Sequence, residues 1–239
     1  MRLVTSTSPD GKTLEAGLQI KLDKGWKTYW KAPGASGIPP QVSFFGSKNV
    51  NDAKLDFPVP SVFPDGEGLS AGYKDEVTFP INLTRLSKTT PTLLKASGLV
   101  GICSDICVPV QFSLSVEDDN KAGSNFDVIS ALSKAKSNLV APSSNVQGIS
   151  AVKYVAGSPA TLSFEARVPE GAKAAELHVE GPYNWYLSPV RATEISGKIA
   201  RFDLPLYSLP KDAKPTETKL KVSLVVDGRG TEQEITPSR

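Results

Sequence analysis

Two cysteines, Cys103 and Cys107, offer the widest chemistry in this chain, and they are the two that its 239 residues contain. Three residues separate them, so a disulfide between them closes a very short ring, which chain-entropy estimates credit with only about 2 kcal/mol. A chain of this length buries a large core and has little need of such a clip. The spacing therefore favours a disulfide that opens and re-forms by exchange with other thiols.

Two other interpretations of the pair stay open. Soft thiolates bind Cu(I), but two sulfurs alone rarely complete a metal site, and zinc prefers four ligands. Apart from Met1 the chain has no methionine, and it has one histidine, so a copper site lacks an evident third ligand. Alternatively, the disulfide is structural and pins a hairpin in a passive binding module. Resistance to reduction would be the mark of that second alternative.

Other residue types give little support to hydrolytic or cofactor chemistry. His178 is the sole histidine, and the alternation of its strand predicts that it faces solvent. It is far in sequence from the cysteines, which disfavours Cys/His and Ser/His/Asp catalysis. Nucleophile-elbow, phosphate-loop and dinucleotide-binding motifs are absent from the sequence. We therefore expect neither a metal nor an organic cofactor.

The charge around the cysteines bears on their reactivity, and the charge of the whole chain bears on the classes of partner. Asp105 lies between the two thiols, and a neighbouring carboxylate disfavours thiolate formation. A thiol pair of modest intrinsic reactivity suits a relay between chosen protein partners. The net charge of +2 gives no electrostatic case for nucleic acid or an acidic membrane surface. No apolar run approaches the roughly 18 residues of a membrane helix.

Period-two alternation of apolar residues dominates the elements that must position the pair, and it predicts an all-β protein. The clearest predicted strands cover residues 16–22, 77–83, 108–116, 162–168, 175–179, 200–206 and 220–226. Pro80 and Pro109 lack a ladder donor, which predicts sheet edges or bulges at those points. Short strands separated by Gly/Pro loops are typical of antiparallel sandwiches.

A change of composition after Val116 predicts the domain organisation. We expect a first sandwich over residues 1–120 that carries the cysteines and a second over 149–239 with a structural or docking role. A linker over 121–148 joins them, with a helix from about Phe126 to Val140 capped by Ser124 or Asn125.

Four stretches of the first half, residues 24–30, 34–40, 72–81 and 103–109, resemble the N-terminal periplasmic domain of the DsbD family of thiol–disulfide reductases. The similarity is closest to the ScsB-type (suppressor of copper sensitivity) branch, whose longer N-terminal region also has a second β-domain. The resemblance implies immunoglobulin-like sandwiches in the periplasm. With a periplasmic location we expect that the signal peptide is absent from this sequence and that the chain is the soluble N-terminal part of a membrane protein.

The resemblance also implies a relay of electrons by protein-disulfide reduction. A thioredoxin-like domain of a membrane electron-transfer protein reduces the pair, which then reduces a periplasmic disulfide isomerase or another thioredoxin-fold protein. Cys107 would form the mixed disulfide with partners, and Cys103 would resolve it. One departure is the spacing of the two cysteines, which is longer in the best-known members of the family.

Further site residues are predicted around the pair. A cap loop within residues 63–73 would shield the thiols, and the sequence offers Phe63, Leu69 or Tyr73 as its apolar cover. Gly-rich residues 65–68 favour a mobile loop there. The aromatic group at residues 26–30 either packs in the core or lines the pocket beside the disulfide, together with Asp105 and Pro109. The candidate rings of that group are Tyr29 and Trp30.

Overall fold

The computed structural model describes residues 1–8, 13–66, 68–119, 126–182, 184–207 and 209–239. Strands dominate these residues, which confirms the mostly β class. The strands of the first half are β1 (Arg2–Thr7), β2 (Leu14–Lys21), β3 (Lys27–Tyr29), β4 (Gln41–Ser43), β5 (Val50–Leu55), β6 (Ser61–Asp65), β7 (Gly68–Lys74), β8 (Glu76–Arg85), β9 (Thr92–Cys103) and β10 (Cys107–Asp118).

The second half begins with a helix and continues in strands. The elements are α1 (Phe126–Ser137), β11 (Ala141–Pro142), β12 (Gly148–Val155), β13 (Ala160–Arg167), β14 (Ala175–Glu180), β15 (Val190–Arg191), β16 (Glu194–Ser196), β17 (Ile199–Leu206), a 3-10 turn (Pro215–Glu217), β18 (Leu220–Val226) and β19 (Arg229–Ile235). All seven strands predicted from alternation are present.

Two compact units divide the chain. The first contains Met1–Lys31, Ile38–Pro60 and Tyr73–Leu139, and the second contains Ala32–Gly37, Ser61–Gly72 and Val140–Arg239. Two short segments of the first half, the second of which forms most of the β6–β7 hairpin, thus belong to the second unit. The domain boundaries given above stay a prediction.

The first unit is built on two sheets. One has the strand order β1-β2-β8-β5, and in the other β10 pairs with β9, which also pairs with β3 and β4. Helix α1 packs on this unit, where Leu132 and Ala135 of the predicted stripe are buried. Gly17 makes that packing possible, since an added Cβ would lie 2.7 Å from Cδ2 of Leu132. The helix ends three residues earlier than predicted, and its predicted cap, Ser124 or Asn125, lies outside the described residues.

The second unit contains a five-stranded sheet with the order β11-β19-β18-β14-β15 and a four-stranded sheet with the order β12-β13-β17-β16. Apolar side chains from both sheets form one core, with Phe164 and Phe202 from one and Leu177 and Leu224 from the other. Each alternating strand therefore presents its apolar face to the opposite sheet, as in a sandwich. The immunoglobulin-like topology stays a prediction for both units.

Two predictions, one about the exposure of His178 and one about the position of Pro80 in its sheet, were wrong. His178 is buried, because the face of β14 that points away from the shared core is also covered; Ser223, its partner on β18, is buried as well. Pro80 was predicted at a sheet edge or a bulge, but it lies on β8, an interior strand whose register with β2 is continuous. The proline is tolerated because the pairing of β5 with β8 ends at Leu55, so the ladder requires no N–H from Pro80 on that side. The Pro80 carbonyl still accepts a hydrogen bond from the backbone N–H of Asp56, just beyond the end of β5.

Candidate functional site

Strands β9 and β10 form a long antiparallel hairpin, and the two cysteines close its end. Cys103 is the last residue of β9 and lies directly opposite Cys107, the first residue of β10. A disulfide joins them, with 4.1 Å between the Cα atoms. Pro109 lies two residues further along β10, opposite Gly101, and Asp105 is exposed in the connecting turn. The pair therefore lies at the junction of two strands.

The two cysteines differ in burial. Cys103 is completely buried, whereas Cys107 is exposed. The apolar neighbours of Cys107 are exposed as well: Ile106 retains 73% of its accessible surface and Val108 retains 44%. Cys107 is therefore the cysteine that lies at the protein surface, and apolar surface lies beside it.

Tyr29 makes a polar contact with the sulfur of Cys107. Its hydroxyl oxygen lies 3.1 Å from Sγ of Cys107. A disulfide sulfur carries no proton, so the tyrosine O–H is the donor. The tyrosine side chain is completely buried, which fixes the donor in place. When the disulfide is reduced, the same O–H group can donate to a thiolate, and such a bond favours the charged form.

The backbone around Gly101 allows Tyr29 to reach across β9. An added Cβ at Gly101 would lie 3.0 Å from Cδ2 of Tyr29 and 2.7 Å from Cβ of Ile38. The absence of a side chain thus leaves room for the tyrosine ring above the strand. Thr28 secures the same point from β3, because its buried hydroxyl donates to the Gly101 carbonyl at 2.9 Å.

A cation also lies in the row of residues at the end of the hairpin. Lys27 on β3 is directly opposite Cys103, which in turn is opposite Cys107. Residues directly opposite each other across antiparallel strands project from the same face of the sheet. The lysine therefore lies on the face that carries both cysteines, and its charge opposes that of Asp105. Gly25, with φ of 87°, forms the turn that leads into β3.

Comparison with protein families identifies the first half of the chain. Residues 3–118 match the family described as thiol:disulfide interchange protein DsbD, N-terminal. Residues 3–118 belong to the DsbD N-terminal family. The resemblance predicted from the four stretches is thereby confirmed, and the matched region contains the cysteine hairpin and Tyr29.

The fold as a whole is similar to a solved structure, the N-terminal periplasmic domain of ScsB from Proteus mirabilis. The TM-score is 0.78 at 22% sequence identity, over 99% of this chain and 92% of that chain. At this identity the likeness concerns the fold, and it includes residues of both units. A search of the curated proteins found no match.

Trp30, Phe63 and Leu69 were also predicted for the site of the DsbD N-terminal domain, and each has its own packing environment. Trp30 is buried, and Nζ of Lys31 lies 4.9 Å from the centre of its ring. Phe63 and Leu69 belong to the β6–β7 hairpin, a pair of regular antiparallel strands. Their roles as cap or pocket residues stay predictions.

Tyr73, the third candidate for the cap, is held in the core of the first unit. Its hydroxyl donates to the Pro58 carbonyl at 2.7 Å, and its ring meets that of Phe79 edge to face at 5.2 Å. Burial raises the pKa of the Tyr73 hydroxyl well above its usual range. The hydroxyl therefore stays neutral, and its role as a cap stays a prediction.

The described residues contain no group of three or more histidine, cysteine or acidic side chains placed to hold a metal ion. Within the same residues, no helix has both the length and the apolar character needed to cross a membrane.

Substitution of Tyr29 by phenylalanine is expected to make the Cys107 thiolate form at higher pH. Loss of a hydrogen bond to a charged group costs about 1.5–3 kcal/mol, which corresponds to about one to two pH units. The pH dependence of alkylation by iodoacetamide, measured in a Cys103→Ala background with one thiol, gives the midpoint directly. Tyr207→Phe, at a tyrosine of the second unit with 78% exposure, is the control and should leave the midpoint unchanged. An unchanged midpoint in Tyr29→Phe would show that the hydroxyl does not act on the thiolate.

Proposed function

We propose that this chain is a periplasmic thiol–disulfide exchange protein that carries electrons through a reversible Cys103–Cys107 disulfide. It receives them from the thioredoxin-like domain of a membrane electron-transfer protein and passes them to a periplasmic disulfide isomerase or another thioredoxin-fold protein. Membership of the DsbD N-terminal family supports exchange as the chemistry. The observation that carries the proposal is a disulfide between one buried and one exposed cysteine at the end of a hairpin.

The difference in burial assigns a role to each cysteine in this proposal. A partner thiolate attacks the sulfur of Cys107, so a new S–S bond forms while the bond to Cys103 breaks. The electron pair leaves on Cys103, which takes up a proton. The second thiolate of the partner then attacks its own sulfur of the mixed disulfide. Cys107 leaves as a thiolate, the partner departs oxidised, and the chain holds two electrons as a dithiol.

Delivery of the electrons follows the same steps in reverse. The Cys107 thiolate, stabilised by the Tyr29 hydroxyl, attacks a disulfide of the next protein and releases one of its sulfurs as a thiolate. Cys103 then attacks Cys107 and frees the second sulfur of that protein. Burial of Cys103 keeps stray oxidants and foreign thiols away from this resolving sulfur.

The second unit completes the proposal as a structural or docking module. Both cysteines of the chain lie in the first unit, so the second unit takes no covalent part in exchange. We place the exchange domain in residues 1–120 and the second sandwich in residues 149–239, with 121–148 as the connection. The immunoglobulin-like topology of both sandwiches and the shielding of the pair by part of residues 63–73 belong to the same proposal.

The reduction potential of the pair tests whether the disulfide is an exchanging one. Wild-type protein is equilibrated with glutathione and dithiothreitol buffers of known potential, and the free thiols are counted by alkylation and mass spectrometry. We expect a single two-electron transition within the range of thiol–disulfide oxidoreductases, about −120 to −270 mV. A disulfide that stays oxidised below about −300 mV would indicate a structural role instead. Tight stoichiometric binding of Cu(I) by the reduced protein would favour the copper alternative.

A further inference from the structure

Strand β10 is the terminal strand of its sheet among the described residues, and Cys107 is its first residue. The orientation of its backbone groups follows from the pairing with β9. Cys103 and Cys107 are directly opposite, with Cα atoms 4.1 Å apart. In antiparallel sheets the Cα separation is about 4.5 Å for a pair without mutual hydrogen bonds and about 5.5 Å for a bonded pair. The backbone N–H and C=O of Cys107 therefore point away from β9.

Two independent observations give the same orientation. The register between β9 and β10 is continuous, so Pro109 and Gly101 form a pair of the same type as the cysteines. Pro109 has no N–H, which is compatible with a position that donates nothing to β9. On the other side, the carbonyl of Gly101 accepts a hydrogen bond from Thr28 of β3 at 2.9 Å, so it also points away from β10.

The direction of sulfur attack coincides with this free edge. Thiolate attack on a disulfide proceeds with the attacking and leaving sulfurs on opposite sides of the central sulfur. Sγ of Cys103 lies on the β9 side of Sγ of Cys107, because the two residues are cross-strand neighbours. A partner thiolate therefore approaches Cys107 from the outer edge, where the N–H and C=O of the same residue are available.

We propose that a thioredoxin-fold partner docks by adding an extended segment to the edge of β10 at Cys107; this inference rests on the proposed function. The segment exchanges a pair of backbone hydrogen bonds with Cys107 and covers the exposed side chains of Ile106 and Val108. Alignment of the partner in this way holds its sulfur on the line of attack.

Pro109 limits the length of this pairing. A residue that pairs with Pro109 can donate to its carbonyl but finds no N–H in return. A partner residue can therefore form both hydrogen bonds with Cys107. At Pro109, the next residue whose backbone points to the free edge, it can form only one. A contact of this size suits a partner that must leave once the electrons have passed, and it protects the edge against stable sheet extension.

Exchange kinetics with two reductants test the docking surface. Ile106→Ser and Val108→Ser are compared with Leu86→Ser and Ile129→Ser, two apolar residues with matching exposure: 73% and 44% against 70% and 43%. The reductants are the reduced thioredoxin-like domain of a DsbD-family protein and reduced glutathione. Each test variant should slow exchange with the protein by about tenfold, since this corresponds to about 1.4 kcal/mol of lost contact. Exchange with glutathione and the behaviour of both controls should not change.

A second measurement reports the backbone pairing itself. In the Cys103→Ala variant trapped as a mixed disulfide with the same domain, amide hydrogen exchange at Cys107 should slow relative to the free variant. The amide of Ser115, which points outward at the far end of β10 in the same register, should not slow. Equal rates for test and control variants, or an unprotected Cys107 amide in the trapped complex, would overturn the docking inference. Wild-type protein that fails to exchange with the domain would overturn the proposed function and this inference with it.

Discussion

Replacement of Cys103 by alanine is expected to leave Cys107 in a long-lived mixed disulfide with a thioredoxin-fold partner, and Cys107→Ala should form no such complex. The reason is the difference in exposure, because a partner reaches Cys107 and not the buried Cys103. Without the Cys103 thiol, nothing in the chain displaces the partner from Cys107. Non-reducing electrophoresis and mass spectrometry of each variant after incubation with an oxidised thioredoxin-fold protein measure the trapped fraction.

The control for this experiment is the reduced wild-type protein. Both variants lack the disulfide, which costs about 2 kcal/mol by the chain-entropy estimate. Thermal unfolding of the variants is therefore compared with that of wild type in dithiothreitol, so that a difference in trapping is separated from a difference in folding. If both variants still pass electrons to a partner at the wild-type rate, the mechanism is wrong. Trapping through Cys103 in Cys107→Ala would reverse the assignment of the two sulfurs.

Local patterns in the sequence were sufficient to predict the mostly β class and the position of the cysteines. A strand carries its period-two pattern in its own residues, so β10, β13 and β18 could be recognised without knowledge of their partners. The short spacing between Cys103 and Cys107 is likewise local, and the structure places the two residues opposite each other at the end of a hairpin. Such features depend on neighbours within about ten residues.

Long-range pairing determines what the sequence left open, including whether Tyr29 packs in the core or lies beside the disulfide. The contact between Tyr29 and Cys107 joins residues 78 positions apart and depends on the register of β3 against β9. The same pairing brings Lys27 to the end of the hairpin, whereas the sequence shows only Asp105 beside the thiols. His178 illustrates the limit of alternation, because a pattern gives the two faces of a strand but not what covers the second face.

The sequence also did not predict that two segments of the first half belong to the second unit. Residues 32–37 and 61–72 lie within the first half of the sequence, yet they form part of the second compact unit. Arg191 of that unit donates to the Val62 carbonyl at 3.4 Å, and the Ala71 amide donates to Pro33 at 2.9 Å. Contacts of this kind depend on tertiary packing, for which Gly/Pro-rich sequence gives no periodic signal.

Substitution of Gly101 by alanine is expected to destabilise the first unit and to remove the effect of Tyr29 on Cys107. The added methyl group would meet Cβ of Ile38 at 2.7 Å and its carbonyl oxygen at 2.9 Å, so backbone and side chains must shift. Overpacking of this type costs about 1–3 kcal/mol. The third close atom is Cδ2 of Tyr29 at 3.0 Å, so the ring is displaced and its hydroxyl moves from Sγ of Cys107.

Urea unfolding measures the loss of stability, with Ser97→Ala, at an exposed position of the same strand, as the control. A double-mutant cycle then separates the two effects. In the Cys103→Ala background, Gly101→Ala alone should move the pH midpoint of Cys107 alkylation upward, and it should add nothing to the shift already produced by Tyr29→Phe. Additive shifts would mean that the glycine acts on the sulfur by a route other than the tyrosine ring. The predicted non-additivity follows from the geometry, because the space above Gly101 is what allows the buried Tyr29 hydroxyl to reach the sulfur of Cys107.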